Sequence, residues 1–285
     1  MATVADDKPG TDPMATRERR ERASHPYFGE GLLRFAHRGG SKRWPENTLL
    51  AFENAYALGY RWIETDVHRT KDGRIVVFHD ERLERTTNGR GRVADHTLDE
   101  LQRLDAAFRF TRDGSTHPYR DQGITVPHLE EAFALHDDLR LNLEMKGRDP
   151  RLAEALWDFI EAHGVHDRVL VASGHDPLTE RFREVAEGRV VTSAGARGIL
   201  AFWLAVRSRT HKLLKPSYDA LQVPPTHEGL RVIDERFVDA AHHHGLKVHV
   251  WTIDEPLEMR RLKALGVDGI MTDRPEVLLH TLDGV

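Results

Sequence analysis

From Leu32 onward, short apolar runs that end in polar residues alternate with stretches whose apolar positions recur at helical spacing. The first run, Leu32-Leu33-Arg34-Phe35-Ala36, ends in His37-Arg38-Gly39-Gly40. Pro45-Glu46-Asn47-Thr48 then opens a helix through Leu58 that Gly59 closes. The second run starts at Trp62 and carries Glu64 and Asp66. It is followed by the turn signal Asp72-Gly73 and the returning arm Ile75-Val76-Val77-Phe78. A polar, loop-rich insertion covers about residues 81–126, and a helix follows over 129–135. The remaining units are tighter. Leu141-Asn142-Leu143-Glu144-Met145-Lys146 precedes a helix over 151–163, and Arg168-Val169-Leu170-Val171-Ala172-Ser173 one over 178–187. Val190-Val191-Thr192-Ser193 leads to an apolar helix over 198–214, and Ala220-Leu221-Gln222-Val223 to one over 234–244. Lys247-Val248-His249-Val250-Trp251-Thr252 precedes a helix over 256–265, and Asp268-Gly269-Ile270-Met271-Thr272-Asp273 a closing one over 276–282.

With the returning arm counted as part of the second loop, these are eight strand–helix units within about 250 residues. The alternation predicts an α/β fold, a (β/α)8 TIM barrel with a small insertion after the second strand, rather than an open doubly wound sheet. Chemistry in such barrels sits at the carboxyl ends of the strands. His37, Glu64, Asp66, Glu144, Lys146, Ser173, Trp251 and Asp273 then rim one mouth. Neither GxGxxG nor GxxxxGKS/T occurs, which argues against a nucleotide cofactor.

The hairpin after the second strand concentrates the chemistry. A two-residue Asp72-Gly73 loop pairs Lys71 with Arg74 and, counted back, sets Asp66 opposite His79. Alternation along the strand points Glu64 and Asp66 the same way, with His79 on that face. A lone Glu-x-Asp is ordinarily a solvated strand edge. Here Trp62, Ile63 and the apolar returning arm argue for burial, and buried carboxylates require a metal ion or a cation.

Glu64, Asp66 and Glu144 offer carboxylate oxygens from adjacent strands, which suits one hard divalent cation, Mg2+ or Ca2+. A salt bridge to Lys146 is the plainer role for Glu144, and the two roles coexist. His37 and His79, at strand ends beside the carboxylates, suit general acid and base work near neutral pH. His242-His243-His244 sits at a helix end, where cations complement the dipole, and reads as structural or solvated. Arg38 and Lys146 add positive charge to the mouth. A divalent ion, an arginine and a lysine converging on one point favour a phosphate ester as substrate.

Composition narrows the alternatives. The 285 residues are 39% apolar and 31% charged, enough for a full core. The net charge of -5, with both signs interspersed, leaves no basic footprint for nucleic acid. The absence of cysteine excludes disulfides and thiolate metal sites or nucleophiles. Residues 1–30, with their charged run Arg17-Glu18-Arg19-Arg20-Glu21-Arg22, read as a disordered arm before a barrel over 31–285. No apolar run has signal-peptide character or reaches the roughly 20 residues of a membrane span, and a cytoplasmic location is expected.

The blocks His37-Arg38-Gly39, Pro45-Glu46-Asn47-Thr48, Glu64-x-Asp66, Lys71-Asp72-Gly73 and His79-Asp80, then Glu144-x-Lys146, Trp251-Thr252 and Asp268-Gly269-Ile270-x-Thr272-Asp273-x-Pro275, together resemble the glycerophosphodiester phosphodiesterase family. The resemblance runs from Leu32 to Pro275. It implies a phospholipase-C-like barrel with a small insertion after the second strand. It also implies His37 and His79 as the acid/base pair, Glu64, Asp66 and Glu144 as metal ligands, and Arg38 and Lys146 on the phosphate. Trp251 is implied against the glycerol, with barrel core as its plainer role, and Glu46 behind Arg38 or at the helix start. The implied reaction releases an alcohol and glycerol 3-phosphate, a neighbouring glycerol hydroxyl attacking first to give a cyclic phosphate that water opens. One departure stands out: Gly174-His175 follows Ser173 where the family commonly carries an aromatic residue, which puts substrate contacts at this loop in question.

Two other readings remain open at this point. Ile199-Leu200-Ala201-Phe202-Trp203-Leu204-Ala205-Val206, followed by Arg207, Arg209, His211, Lys212 and Lys215, reads most simply as a buried outer helix. Exposed, it would meet a lipid surface or an acyl chain, giving peripheral membrane contact and a lysophospholipase D type activity on lysophospholipids. From a different class, the barrel is a non-catalytic module that binds a phosphate ligand.

Overall fold

In the computed structural model, which describes residues 24–284, the predicted alternation is realised as a parallel barrel. Its strands are β1 (Leu33–His37), β2 (Trp62–Arg69), β3 (Arg140–Met145), β4 (Val169–Ala172), β5 (Val191–Thr192), β6 (Ala220–Val223), β7 (Lys247–Val250) and β8 (Gly269–Thr272). They pair in chain order from β1 to β5 and from β6 to β8, and β8 returns to β1. Between β5 and β6 the closure is shorter: Ser193 bridges Ala220, and Asp219 N donates to Thr192 O at 2.8 Å. The helices that follow each strand are α1 (Leu49–Ala57), α2 (Leu129–Ala134), α3 (Arg151–His163), α4 (Asp176–Ala186), α5 (Ala196–Arg207), α6 (Glu235–His243), α7 (Pro256–Ala264) and α8 (Pro275–Asp283).

Strands buried on both faces explain why the sequence shows continuous apolar runs. One apolar layer lies between the strands and the ring of helices, with Ile63, Leu141, Val171, Leu221 and Val248 packed against Phe52, Leu156, Phe182 and Phe237. A second fills the barrel itself and includes Phe35, Leu170, Ala220 and Met271. Tyr27 and Phe28 belong to this inner layer. Tyr27 O accepts from Trp62 Nε1 at 3.0 Å, near the amino ends of the strands. Tyr27 and Phe28, expected in a disordered arm, therefore close the apolar floor of the barrel away from the mouth. Residues 1–23 of that arm lie outside the described residues.

Two other expectations change. The outer helix α5 is shorter than 198–214 and is not buried all round: Phe202, Ala205 and Val206 face the barrel, while Leu200 and Leu204 are exposed. The hairpin loop has three residues, not two. Thr70 N donates to Arg74 O, Gly73 takes a left-handed φ of 84°, and the ladder pairs Val67 with Val77 and Arg69 with Ile75. Asp72 Oδ1 accepts from Thr70 Oγ1 and from Leu98 N, so the turn is shaped partly by the insertion. Asp66 consequently faces Phe78, whose N donates to Asp66 O at 2.9 Å. His79 lies beyond the last ladder pair, and its carbonyl is held by His68 Nε2 at 3.0 Å. The segment after the hairpin has a small core of its own, built by Val76, Phe78, Leu83, Val93, Leu101 and Val126. No described helix is long and apolar enough to cross a membrane.

Candidate active site

β1, β2 and β3 present their carboxyl ends in register, His37 beside Glu64 and Asp66 beside Glu144. Glu64 and Asp66 are 4% and 1% exposed, so the burial argued from the sequence holds. One oxygen from each of Glu64, Asp66 and Glu144 lies within 4.8 Å of the others. Their charges are not balanced alike. Lys146 Nζ stands 3.0 Å from both Asp66 Oδ1 and Glu144 Oε2, Arg38 Nε stands 3.3 Å from Asp66 Oδ2, and Asn47 Nδ2 donates to Asp66 at 2.8 Å. Burial opposes the Asp66 charge, but Lys146 and Arg38 outweigh it and hold the carboxyl below its usual range. At Glu64 burial, reinforced by the Asp66 charge, holds the carboxyl well above that range, and Oε2 is buried with no hydrogen-bond partner among the described residues. Three convergent carboxylates, one of them held well above its usual range by burial and with no nitrogen or sulfur donor in the set, fit a hard divalent cation.

The two histidines share one arrangement. His37 Nδ1 lies 2.6 Å from Asp273 Oδ1, and His79 Nδ1 lies 2.6 Å from Asp80 Oδ1. A carboxylate at Nδ1 keeps the proton there and leaves Nε2 as the atom that takes or gives one. His37 Nε2 is 3.5 Å from Glu64 Oε2. Burial disfavours the His37 imidazolium, but the Glu64 charge and the Asp273 hydrogen bond outweigh it and raise its pKa. Asp273 also accepts from Ser41 Oγ at 2.6 Å, which fixes its orientation.

Behind the histidines runs a chain of ion pairs. Asp80 is gripped by Arg85 at 2.6 and 3.0 Å, and the same guanidinium holds both Glu46 oxygens at 2.7 Å. Glu46 in turn accepts from Arg38 Nη1 at 2.9 Å. Burial opposes the Asp80 charge, yet the Arg85 and His79 hydrogen bonds bring its carboxyl down to about 2. Arg38 and Asn47 both take left-handed φ angles, 52° and 57°, and such strain persists only where surrounding contacts over-determine it. Those contacts are Arg38 N to Glu64 O, Asn47 N to Arg38 O, and Thr65 Oγ1 to Asn47 Oδ1.

A cavity of about 360 Å³ collects His37, Arg38, Glu64, His79, Glu144, Lys146 and Trp251. Asp66, 1% exposed, and Glu46, paired with Arg38, do not line it. Trp251 is 42% exposed and so is not barrel core. Ser173 offers the cavity nothing: its hydroxyl donates to Met145 O and accepts from His175 N. Gly174 does line the cavity, where a Cβ would meet no atom within 4 Å. The Asn142 and Gln222 amides, paired at 3.0 Å, complete the wall. The sequence carried Asp80 and Asn47 only as motif positions without a role, and gave neither Arg85 nor the orienting role of Asp273. The adjacency of Asp80 to His79 was the one available signal, because Arg85 reaches the site only through the folded insertion.

The chain is similar to known proteins along most of its length. The family model described as the glycerophosphoryl diester phosphodiesterase family matches residues 37–277. A glycerophosphodiester phosphodiesterase of Caldanaerobacter subterraneus is 35% identical over 254 residues, covering 87% of this chain and 96% of that protein. One from Bacillus altitudinis is 36% identical over 252 residues, covering 85% of this chain and 94% of that protein. Among solved structures, an Oleispira antarctica phosphodiesterase in complex with the product sn-glycerol-3-phosphate superposes with a TM-score of 0.72 at 26% identity, covering 89% of this chain and 97% of that one. The glycerophosphoryl diester phosphodiesterase domain of a Mycobacterium tuberculosis protein gives a TM-score of 0.77 at 24% identity, covering 88% and 98%, and shares the fold. The chain belongs to the glycerophosphoryl diester phosphodiesterase family, a family of phosphoric diester hydrolases.

Proposed function

We propose that this chain hydrolyses glycerophosphodiesters to an alcohol and glycerol 3-phosphate, with His37 and His79 as the acid/base pair. The observation that carries the reading is the pairing of two aspartate-held histidines on either side of a three-carboxylate cluster, in one cavity with Arg38 and Lys146. Glu64, Asp66 and Glu144 would hold one divalent cation. When bound, that cation neutralises charge on the phosphoryl oxygens. Arg38 and Lys146 orient the phosphate and add to that stabilisation. One histidine accepts the proton of the attacking glycerol hydroxyl at Nε2 and the other gives a proton to the departing alcohol oxygen; water then opens the cyclic phosphate, losing its proton to one histidine while the other protonates the released glycerol oxygen, to give glycerol 3-phosphate. Trp251 covers the glycerol carbons. The named activity of the relatives and the product bound in the Oleispira antarctica enzyme support the same substrate class.

Release of glycerol 3-phosphate from glycerophosphocholine, measured with and without EDTA and after restoring Mg2+ or Ca2+, tests the reading. Turnover that EDTA abolishes and one cation restores is expected. Turnover indifferent to EDTA would remove the metal from the mechanism. The exposed Leu200 and Leu204 of α5 favour a second reading, lysophospholipids as substrates at a lipid surface. Release of lysophosphatidic acid from lysophosphatidylcholine distinguishes it, and activity confined to glycerophosphocholine would exclude it.

A further inference from the structure

The catalytic cavity has a neighbour. His79 and Lys146 form a wall common to it and to a second concavity of about 580 Å³ on their other side. That groove adds Arg69, Arg92 and Arg148, set against the carboxylates of Glu81 and Asp149. Most of these charges are already engaged. Arg92 is in a close ion pair with Glu81, and Lys146 serves Asp66 and Glu144. Asp149 holds Arg151 at 3.0 Å and accepts from its backbone N. Arg69 reaches Asp149 only at 4.0 Å, and Arg148 is exposed with no ion pair among the described residues. Arg148 is thus free to meet an anion and Arg69 only loosely held by Asp149, and planar donor forks such as theirs match a phosphate.

This groove acquires meaning through the proposed function, on which the inference rests. A phosphodiester seated on Lys146 with His79 beside one ester oxygen has one arm in the catalytic cavity and the other directed past that wall. We infer that the groove receives the alcohol arm and that the alcohol carries a second phosphate, bound by Arg69 and Arg148. The favoured substrate is thus a glycerophosphodiester of a phosphorylated alcohol, turned over in preference to one of an uncharged or cationic alcohol.

A matched pair of substrates tests this: glycerophosphoinositol and its 4-phosphate, with glycerophosphocholine as a third. At low ionic strength the phosphorylated member should show a kcat/KM roughly tenfold higher than its parent, mostly through KM. Added salt should shrink the ratio. The Arg69→Ala/Arg148→Ala double variant and, as a second probe, Arg148→Glu should both bring the ratio close to one. Because the readout is a ratio, a general loss of activity cancels. Equal kcat/KM for the pair in an active enzyme, or a preference that survives the double variant, would overturn the second phosphate alone. No turnover of any of the three substrates would overturn the phosphodiesterase reading and this inference with it.

Discussion

At the scale of single residues, the site is built from side chains that hold other side chains. Neither histidine stands free: Asp273 holds His37, and Asp80 holds His79. Asp80 is in turn fixed by Arg85, which also fixes Glu46 and through it Arg38. An amide in place of the Asp80 carboxylate can offer its NH2 group to Nδ1, which stabilises the tautomer with the proton on Nε2 and loosens the Arg85 grip. Asp80→Asn is therefore expected to lower kcat by about 10- to 100-fold with little change in KM. Steady-state kinetics on glycerophosphocholine would check it, and an unchanged kcat would show that the Asp80 contact does not serve turnover. The histidines and carboxylates were legible in the sequence because they cluster at the ends of predicted strands. Arg85 was not, because nothing local ties a surface arginine in a polar insertion to a carboxylate 39 positions away.

At the scale of elements, the eightfold alternation was legible because strands covered on both faces must be apolar throughout, and each helix shows its own periodicity. The hairpin register was not. Asp72-Gly73 reads as a two-residue turn, but the Asp72 carboxylate also accepts from Leu98 N, a contact from the insertion that no local pattern reveals. Thr70 then pairs with Arg74, and Gly73 becomes the left-handed third loop residue. His79 reaches the mouth even so, because the ladder ends at Val77 and the chain bends at His79 and Asp80. A side chain at Gly73 meets the φ of 84° first and space second: its Cβ would lie 3.0 Å from Arg69 Nη2, the movable end of a long side chain. Gly73→Ala should cost about 1 kcal/mol of stability, from backbone strain, while leaving the fold intact. Urea unfolding would measure it, and a variant as stable as the parent would mean that the loop relaxes into another turn.

At the scale of the whole molecule, the barrel interior is layered along its axis. Charged groups occupy the mouth, the Asn142, Gln222 and His249 side chains lie below them, and Phe35, Phe28 and Tyr27 close the floor. His249 sits at the boundary. Its ring packs 4.9 Å from Phe35 and 6.0 Å from Phe28, Nδ1 faces the Gln222 amide at 3.3 Å, and Nε2 has no hydrogen-bond partner among the described residues. Asp268 favours its charged form and Lys247 opposes it, but burial dominates and brings the imidazole down to about 4 from 6.5. The unfolded chain then binds a proton that the folded one refuses, so folding stability is full above pH 6.5 and declines as pH falls toward 4. Between pH 7 and pH 5 this one group should remove about 2 kcal/mol. Other titrating groups add their own slopes, which is why the informative quantity is a difference. His249→Gln keeps a polar side chain beside Gln222 and has nothing to protonate. Urea unfolding of both proteins at pH 7 and pH 5 should show the wild type losing about 2 kcal/mol more than the variant on acidification. Equal losses would mean that His249 is charged in the folded barrel, and that water reaches the layer beneath the active site.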